Sequence, residues 1–247
     1  MKLISINIEA NKHCYNVLDF ITKEKPEVVC LQELLEEDFD RFKEELNKSG
    51  VFKASGYFFS DIPRYKDIRD KKHGVAIFAK NIFDSGSIFY EGKEENISKP
   101  LEEYLSDEKI YKNHVLLWAD IKDSNDALFK FIVTQMPVTK EGESSPYQLE
   151  VLNSLLIELS SLGEFVLCGD MNAPRGKETF RRLAEKYKDN IPLEYKTSID
   201  QNLHRVKGVQ FMIDSLFTTP AYKASNVRLV DGVSDHMAVV ADVYKDQ

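Results

Sequence analysis

Apolar positions recur along this chain with two spacings, and the change from one to the other marks out its elements. Leu3 to Ile8 is a short apolar run with the look of a core strand. Cys14, Val17, Leu18 and Ile21 then fall on one face of a helix, which Pro26 stops. Val28 to Leu31 reads as a second strand ending at Gln32-Glu33, and Asp38 to Leu46 as another helix. Strand-like runs follow at 57–60, 74–79, 86–90, 115–121 and 129–138. Ser145-Pro146-Tyr147-Gln148 has the form of a helix start: an N-cap serine, proline in the first position and glutamine where a capping box needs it. Leu152, Leu155, Leu156 and Leu159 continue that helix to Gly163. Phe165 to Cys168 is an apolar strand that halts at Gly169, and a charged helix follows from about Lys177 to Lys188. Phe211 to Phe217, Asn226 to Val230 and Met237 to Val243 close the chain as strands. The segment 91–113 has no clear period and reads as a surface excursion.

Strands at both ends with helices between them indicate an α/β or α+β layered fold. With no internal repeat and no linker rich in Pro, Gly or Ser, residues 1–247 are expected to form one domain. The chain is 43% hydrophobic, enough for a substantial core. Its net charge of −8 argues against a protein that coats nucleic acid, while a nuclease with a local basic groove stays open. Cys14, Cys30 and Cys168 are widely separated in apolar surroundings, the pattern of buried thiols in a reducing, cytoplasmic setting. No stretch approaches the length of a membrane span, and the start of the chain lacks the form of a signal peptide.

Candidate chemistry gathers at strand edges. Asn7 lies near the end of the first strand, Glu33 follows the second, and Asp170 and Asn172 follow the Phe165–Cys168 strand. Asp214 interrupts an apolar run, and Asp235-His236 precedes the last strand. Taken singly, an Asp or Asn after a strand is a turn former. Asp214 is different, because a carboxylate inside a β run must find partners or suffer several kcal/mol of desolvation. Hard oxygen donors without paired Cys or His point to magnesium or manganese rather than zinc. There is no G-x-S-x-G, and the glycines near Gly169 and Gly176 are wrongly spaced for a phosphate loop.

These edges carry a family resemblance. "ISINIEA", "VVCLQE", "GVAIFAK", "LCGDMNAP", "MIDSLF" and "SDHMAVVADV" occur in the order of the motifs of the endonuclease/exonuclease/phosphatase (DNase I-like) superfamily, which the chain resembles from Leu3 to Val243. The resemblance implies a four-layered sandwich of two mostly antiparallel β-sheets flanked by helices. It also implies a Mg²⁺-dependent hydrolase of phosphoesters, with Mn²⁺ as the other candidate ion. Glu33 would be the metal ligand, with Asn7, Asp214 and Asp235 on the metal side and Asp214 alternatively in the histidine network. Asp170 would orient or deprotonate the attacking water, and His236, held by Asp235, would face a phosphate oxygen. Asn7, Asn172 and Gln135 would contact the phosphate. One position departs from the family: Gln135 stands where members commonly carry His or Tyr, and an amide cannot transfer a proton. The expected activity is a nuclease-type phosphodiesterase. A phosphomonoesterase of the 5-phosphatase or sphingomyelinase kind and a non-catalytic binding protein are the rivals. The partner is a phosphoester, either nucleic acid or a small phosphodiester, and the chain is expected to be a monomer. The basic segments 64–74 and 204–208 are candidates for a polyanion-facing rim, with ordinary solvated loops as the alternative.

Overall fold

Most strands of this protein bury both faces, and that explains their near-continuous apolar runs. The computed structural model describes residues 1–58, 63–97 and 113–245. Along the chain run β1 (Lys2–Asn7), α1 (Cys14–Glu24), β2 (Val28–Leu35), α2 (Phe39–Leu46), β3 (Ser49–Tyr57), β4 (Lys72–Ala79) and β5 (Ile82–Glu91). Then come α3 (Glu94–Ile97), β6 (His114–Lys122), β7 (Leu128–Gln135), α4 (Pro146–Ser160), β8 (Val166–Asp170), α5 (Glu178–Ala184) and β9 (Lys188–Asp189). The last elements are β10 (Asp214–Thr218), β11 (Tyr222–Val230) and β12 (Ala238–Lys245). They form two six-stranded sheets, ordered β11-β12-β1-β2-β4-β3 and β5-β6-β7-β8-β10-β9.

Each sheet is antiparallel except for one pair. β1 and β2 are parallel with α1 as their crossover, and β7 and β8 are parallel with α4 as theirs. Leu3, Val28 and Cys30 alternate with Ile4, Val29 and Leu31 between two separate cores. The first core lies between the sheets, where Phe131, Val133, Val166, Cys168 and Leu216 meet them. The second lies under α1 and α2. A third core packs Leu152, Leu155 and Leu159 of α4 on Ile132 and Leu167. Helix, sheet, sheet and helix are thus four layers, as the sequence motifs imply. All three cysteines are buried and unpaired. No helix among the described residues is long and apolar enough to cross a membrane.

Several boundaries differ from the sequence expectation. β2 does not end at Leu31 but continues to Leu35 through a register shift against β4. The third strand is Ser49–Tyr57, not 57–60, and residues 59 and 60 lie outside the described residues. β7 stops at Gln135, before Pro137, which has no N–H to continue a ladder. Asp214 opens β10 instead of interrupting a longer strand. The charged helix ends at Ala184, because Lys188 and Asp189 pair with β10. Of the 91–113 excursion, Glu94–Ile97 forms a helical turn and 98–112 lie outside the described residues. Ser145 does cap α4, accepting from the Gln148 N–H at 3.0 Å. The Gln148 side chain leaves the capping box unmade and turns inward to the carbonyls of Pro137 and Asn172.

Gly169 shows how tightly β7 and β8 approach. Its φ is +142°, and an added Cβ would sit 2.0 Å from the carbonyl oxygen of Thr134. Gly169→Ala is expected to cost roughly 2–4 kcal/mol from strain and overlap, which urea unfolding would measure. A cost well under 1 kcal/mol would contradict this close approach.

Candidate active site

Strand register brings the first three groups together. Gln135 at the end of β7, Asp170 at the end of β8 and Asp214 at the start of β10 are direct neighbours across the sheet. Residues paired in register share a face, and here that face looks toward the other sheet. From the opposite sheet, Asn7 ends β1 on the inter-sheet side, in step with Leu3 and Ser5.

Glu33 reaches the same place by breaking the strand rule. Strict alternation from Val28, Cys30 and Gln32 would turn Glu33 outward, with Val29 and Leu31, toward the helices. A bulge prevents this: the β2–β4 register shifts between Leu31 and Leu34, and Glu33 adopts φ +60°. Its Oε1 then accepts from Asn7 Nδ2 at 3.0 Å and from Gln135 Nε2 at 2.8 Å. The same two amide nitrogens lie 3.2 and 3.3 Å from Asp170 Oδ2. These distances favour Glu33, because hydrogen bonds weaken beyond about 3.2 Å.

Asp170 is therefore deeply buried and only loosely served. Asn172 adds a backbone N–H to Oδ1 at 3.0 Å, and its Nδ2 lies 3.3 Å from Oδ2. Burial pushes the Asp170 carboxyl up to about 7, against the pull of His236 and with Asp214 and Glu33 adding repulsion. His236 moves upward as well. Burial alone would lower it, but the nearby Asp214 and Asp170 carboxylates and a 2.8 Å bond from Nδ1 to Asp214 Oδ2 outweigh that. Ligand atoms of Asp170, Asp214 and His236 all lie within 4.8 Å of one another. Asp214 is itself placed by Ser198, whose hydroxyl oxygen accepts the Ile213 and Asp214 N–H groups.

The structure corrects several expected pairings. His236 is held by Asp214, the histidine-network alternative for that residue, and not by Asp235. Asp235 instead accepts from Ser234 and faces Glu9 and His13. Asn172 spends its amide hydrogens on Met136 O at 2.9 Å and on Asp170, which leaves none for a phosphate. Asn7 is turned with Oδ1 toward the Glu9 N–H, so it presents a donor, not an oxygen ligand, to the carboxylates. Asp214 is committed to histidine. Among the proposed metal-side residues, Glu33 keeps a carboxylate open to the cleft, with Asp170 as its neighbour. This pair of hard oxygen donors fits a divalent cation of the magnesium or manganese type.

Groups with no obvious sequence signal complete the site. Glu9, buried at φ +49°, takes His13 Nε2 at 2.9 Å, Arg64 Nη2 at 2.7 Å and the Tyr65 hydroxyl. Burial opposes its charge, yet those partners hold it below the usual carboxylate range. The Glu9–His13–Asp235 cluster is thus occupied by internal bonds. Tyr90 and His114 both bond the Gln135 carbonyl, at 3.0 and 3.1 Å, and fasten that residue from behind. Gln148 ties together the loops after β7 and β8. Only the "S-P-Y-Q" motif pointed to it, and for capping.

Glu9, Glu33, Gln135, Asp170, Asn172, Asp235 and His236 line a cleft of about 1220 Å³. The expected basic rim is largely spent elsewhere: Arg64 on Glu9, Lys71 on Glu37 and Lys207 on backbone carbonyls. Arg205 lines the cleft and is exposed.

The model of the Endonuclease/Exonuclease/phosphatase family matches residues 4–236. No match to a curated protein was found. Among solved structures, an endonuclease/exonuclease/phosphatase from Bacteroides vulgatus is 15% identical with a TM-score of 0.73, over 99% of this chain and 98% of that one. The human Nocturnin catalytic domain with bound sulfate is 16% identical with a TM-score of 0.72, over 100% and 93%. A mannosyl-6-phosphatase from Bacteroides thetaiotaomicron is 14% identical with a TM-score of 0.67, over 99% of each chain. At such identities these likenesses establish a common fold.

The raised groups fix the sign of a pH effect on the metal-free protein. Asp170, at about 7 against 3.8, contributes most below about pH 4 and loses that contribution as pH rises to 7. His236, held well above 6.5, extends the loss upward, while the gain from Glu9 is complete near its ordinary 4.5. Buried His73 and His114 are lowered and act the other way up to about pH 6.5, so the melting temperature should fall from about pH 6.5 to pH 8, and Asp214→Asn should flatten that fall. Calorimetry across that range checks both, and a rise toward pH 8 would contradict the burial of Asp170 and His236.

Proposed function

The chain belongs to the Endonuclease/Exonuclease/phosphatase family, a superfamily of phosphoester hydrolases, and from that premise we propose that it hydrolyses phosphodiesters with Mg²⁺ or Mn²⁺. The observation that carries this reading is the position of Asp170, with Glu33 and its two shared amides on one side and the His236–Asp214 pair on the other.

Each residue then has a chemical task. Asp170, buried at the end of β8 with Asn7, Gln135 and Asn172 around it, accepts the proton of an attacking water. His236 keeps its own proton through Asp214 and donates to a non-bridging phosphate oxygen, where negative charge grows in the transition state. Asn7 and Gln135 turn amide hydrogens toward the same mouth and position the phosphate or the carboxylates. Glu33, with Asp170 beside it, would hold the cation; when bound, that ion supplies Lewis-acid stabilisation of phosphoryl charge. A diester brings one negative charge into a cleft already rich in carboxylates, whereas a monoester brings up to two. Among the described residues lining the cleft, Arg205 is the one Lys or Arg, and this scarcity of cations supports the diester.

If Glu33 holds the ion, Glu33→Gln should largely abolish the rise in melting temperature produced by Mg²⁺ or Mn²⁺, with the fold intact. An unchanged thermal shift would remove Glu33 from the site.

Asp170→Asn and His236→Ala should each lower kcat by about 100-fold or more on a generic aryl phosphodiester. Losses in the double variant should be smaller than the product, since both groups act on one transition state. A protein that binds the diester without turning it over in the presence of either ion would instead be a binding protein on this scaffold.

A further inference from the structure

A second cavity lies at the end of the sandwich opposite Asp170. β4 runs from His73 at the cleft to Lys80 just past its end, and β6 from His114 at the cleft to Lys122, so about 20 Å of strand separates the two. The cavity, of about 490 Å³, is enclosed by the exits of β4 and β6 and the ends of α1 and α2. There the Lys122 N–H donates to the Asn81 carbonyl at 3.0 Å and joins the two sheets.

Lys25, Lys48, Lys80 and Lys122 line this cavity against Glu27, Glu45 and Asp123. The acids have other work. Glu45 Oε1 accepts from Arg41 Nε at 2.7 Å, and Asp123 Oδ1 accepts the N–H groups of Asn125 and Ala127. Glu27 accepts the Lys2 N–H at 2.6 Å and is the carboxylate that acts on Lys48. Lys122 leans toward Asp126, 3.7 Å away, and over the Phe83 ring. Among the described residues, the amines of Lys25, Lys48 and Lys80 make neither a hydrogen bond nor an ion pair.

Lys48 and Lys80 face one another. Ser49 and Ala79 are the last register pair of β3 and β4, and the two lysines are the next residues on either side. Like charges directly opposed across a sheet are destabilising. Burial, with the Lys80 charge added to it, pushes the Lys48 ammonium below its ordinary range. Lys25 and Lys48 follow helix ends, where a cation complements the dipole. Lys80 follows a strand and has no such reason to be basic. Asn47 and Asn81 add amides to the same wall, and Ile21, Leu46 and Ile121 give it an apolar floor. Opposed ammonium groups beside amide donors and an apolar floor suit an oxyanion with a small organic body.

We propose that this cavity binds a phosphate monoester, its dianionic head bridging Lys48 and Lys80 and its short apolar body lying against Ile21, Leu46 and Ile121. A dianion matches two ammonium charges, where a carboxylate leaves one of them uncompensated. The site is separate from the cleft and does not depend on the hydrolase reading.

The test acetylates lysines of the metal-free protein and reads each site by mass spectrometry, in butyl phosphate, in acetate or in sodium chloride at equal ionic strength. Butyl phosphate should slow labelling of Lys48 and Lys80 by about fivefold, the protection expected at about four times the dissociation constant. Acetate and chloride should not, and Lys186, exposed elsewhere, should label equally in all three. In Lys80→Gln the protection of Lys48 should disappear, and the melting temperature without ligand should be no lower than that of the parent, because a repulsion has been removed. Equal protection by acetate or chloride, equal slowing at Lys186, or retained protection of Lys48 in Lys80→Gln each overturns the site. Unmoved labelling of Lys48 does so too, since a phosphate held in the cleft leaves that amine untouched. A lower melting temperature in Lys80→Gln would make Lys80 a support of the fold and overturn its role here.

Discussion

One buried carboxylate organises the mouth of this sandwich. Asp170 ends β8 with 2% of its surface exposed, and an ionised group there is costly unless donors surround it. The nearby loops supply those donors. Asn172 returns its backbone N–H, Asn7 and Gln135 lean in from two other strands, and His236 approaches with its proton secured by Asp214. None of the side-chain contacts to Oδ2 is shorter than 3.2 Å. The carboxylate is held in place yet incompletely satisfied, and that balance leaves it close to neutrality in proton affinity. A tighter set of donors would make a better structural carboxylate and a poorer base.

Backbone strain is concentrated around the same mouth. Outside glycine, positive φ occurs at Lys25 and Asn47, which cap helices, at Asp126 between β6 and β7, at Asn226, where β11 bulges, and at Ala10 next to Glu9. The cleft itself holds Glu9, Glu33, Glu141 and Asn172 in that region. Such residues each cost of order 1–3 kcal/mol and persist only where their surroundings over-determine them. Glu9 is pinned by His13, Arg64 and Tyr65, Glu33 by two amides, and Asn172 by Met136 and Gln148. The cost is repaid by aim: without the left-handed turn at Glu33, its carboxylate would face α1 and α2 instead of Asp170.

The layers were legible in the sequence because burial on both faces writes itself as apolar runs, and Leu3–Ile8 and Phe165–Cys168 are such runs. The polar residues that gather at the mouth of the sandwich stood out for a related reason, since a polar group at the end of a core strand is conspicuous. Their partnerships were legible only in part, since the sequence left Asp214 between the metal side and the histidine network. Asp235 and His236 are adjacent in sequence, and that adjacency suggests a hydrogen-bonded pair that the fold does not make. Asp214 is the true partner, 22 residues away. The bulge at Glu33 depends on pairing with β4, which nothing local announces. Gln148 was visible only as a capping residue, because its inward bonds run to loops 11 and 24 residues distant.

Basic residues illustrate how structure reverses a compositional impression. Arg64, Lys66, Arg69, Lys71 and Lys72 look in sequence like a strip waiting for phosphates. Folded, Arg64 points at Glu9, where it offsets one buried charge and stabilises the strained turn after β1. Lys71 joins Glu37, and Lys72 lies over the Tyr57 ring. A cation spent on an internal carboxylate adds little field at the surface, because the pair is a dipole whose potential falls off faster than that of a charge. Among the described residues the cleft therefore has a local, directional electrostatics, built from one imidazolium, Arg205 and a few amides, in place of a broad positive field. On the phosphodiester reading proposed above, such groups would recognise a single phosphate at short range.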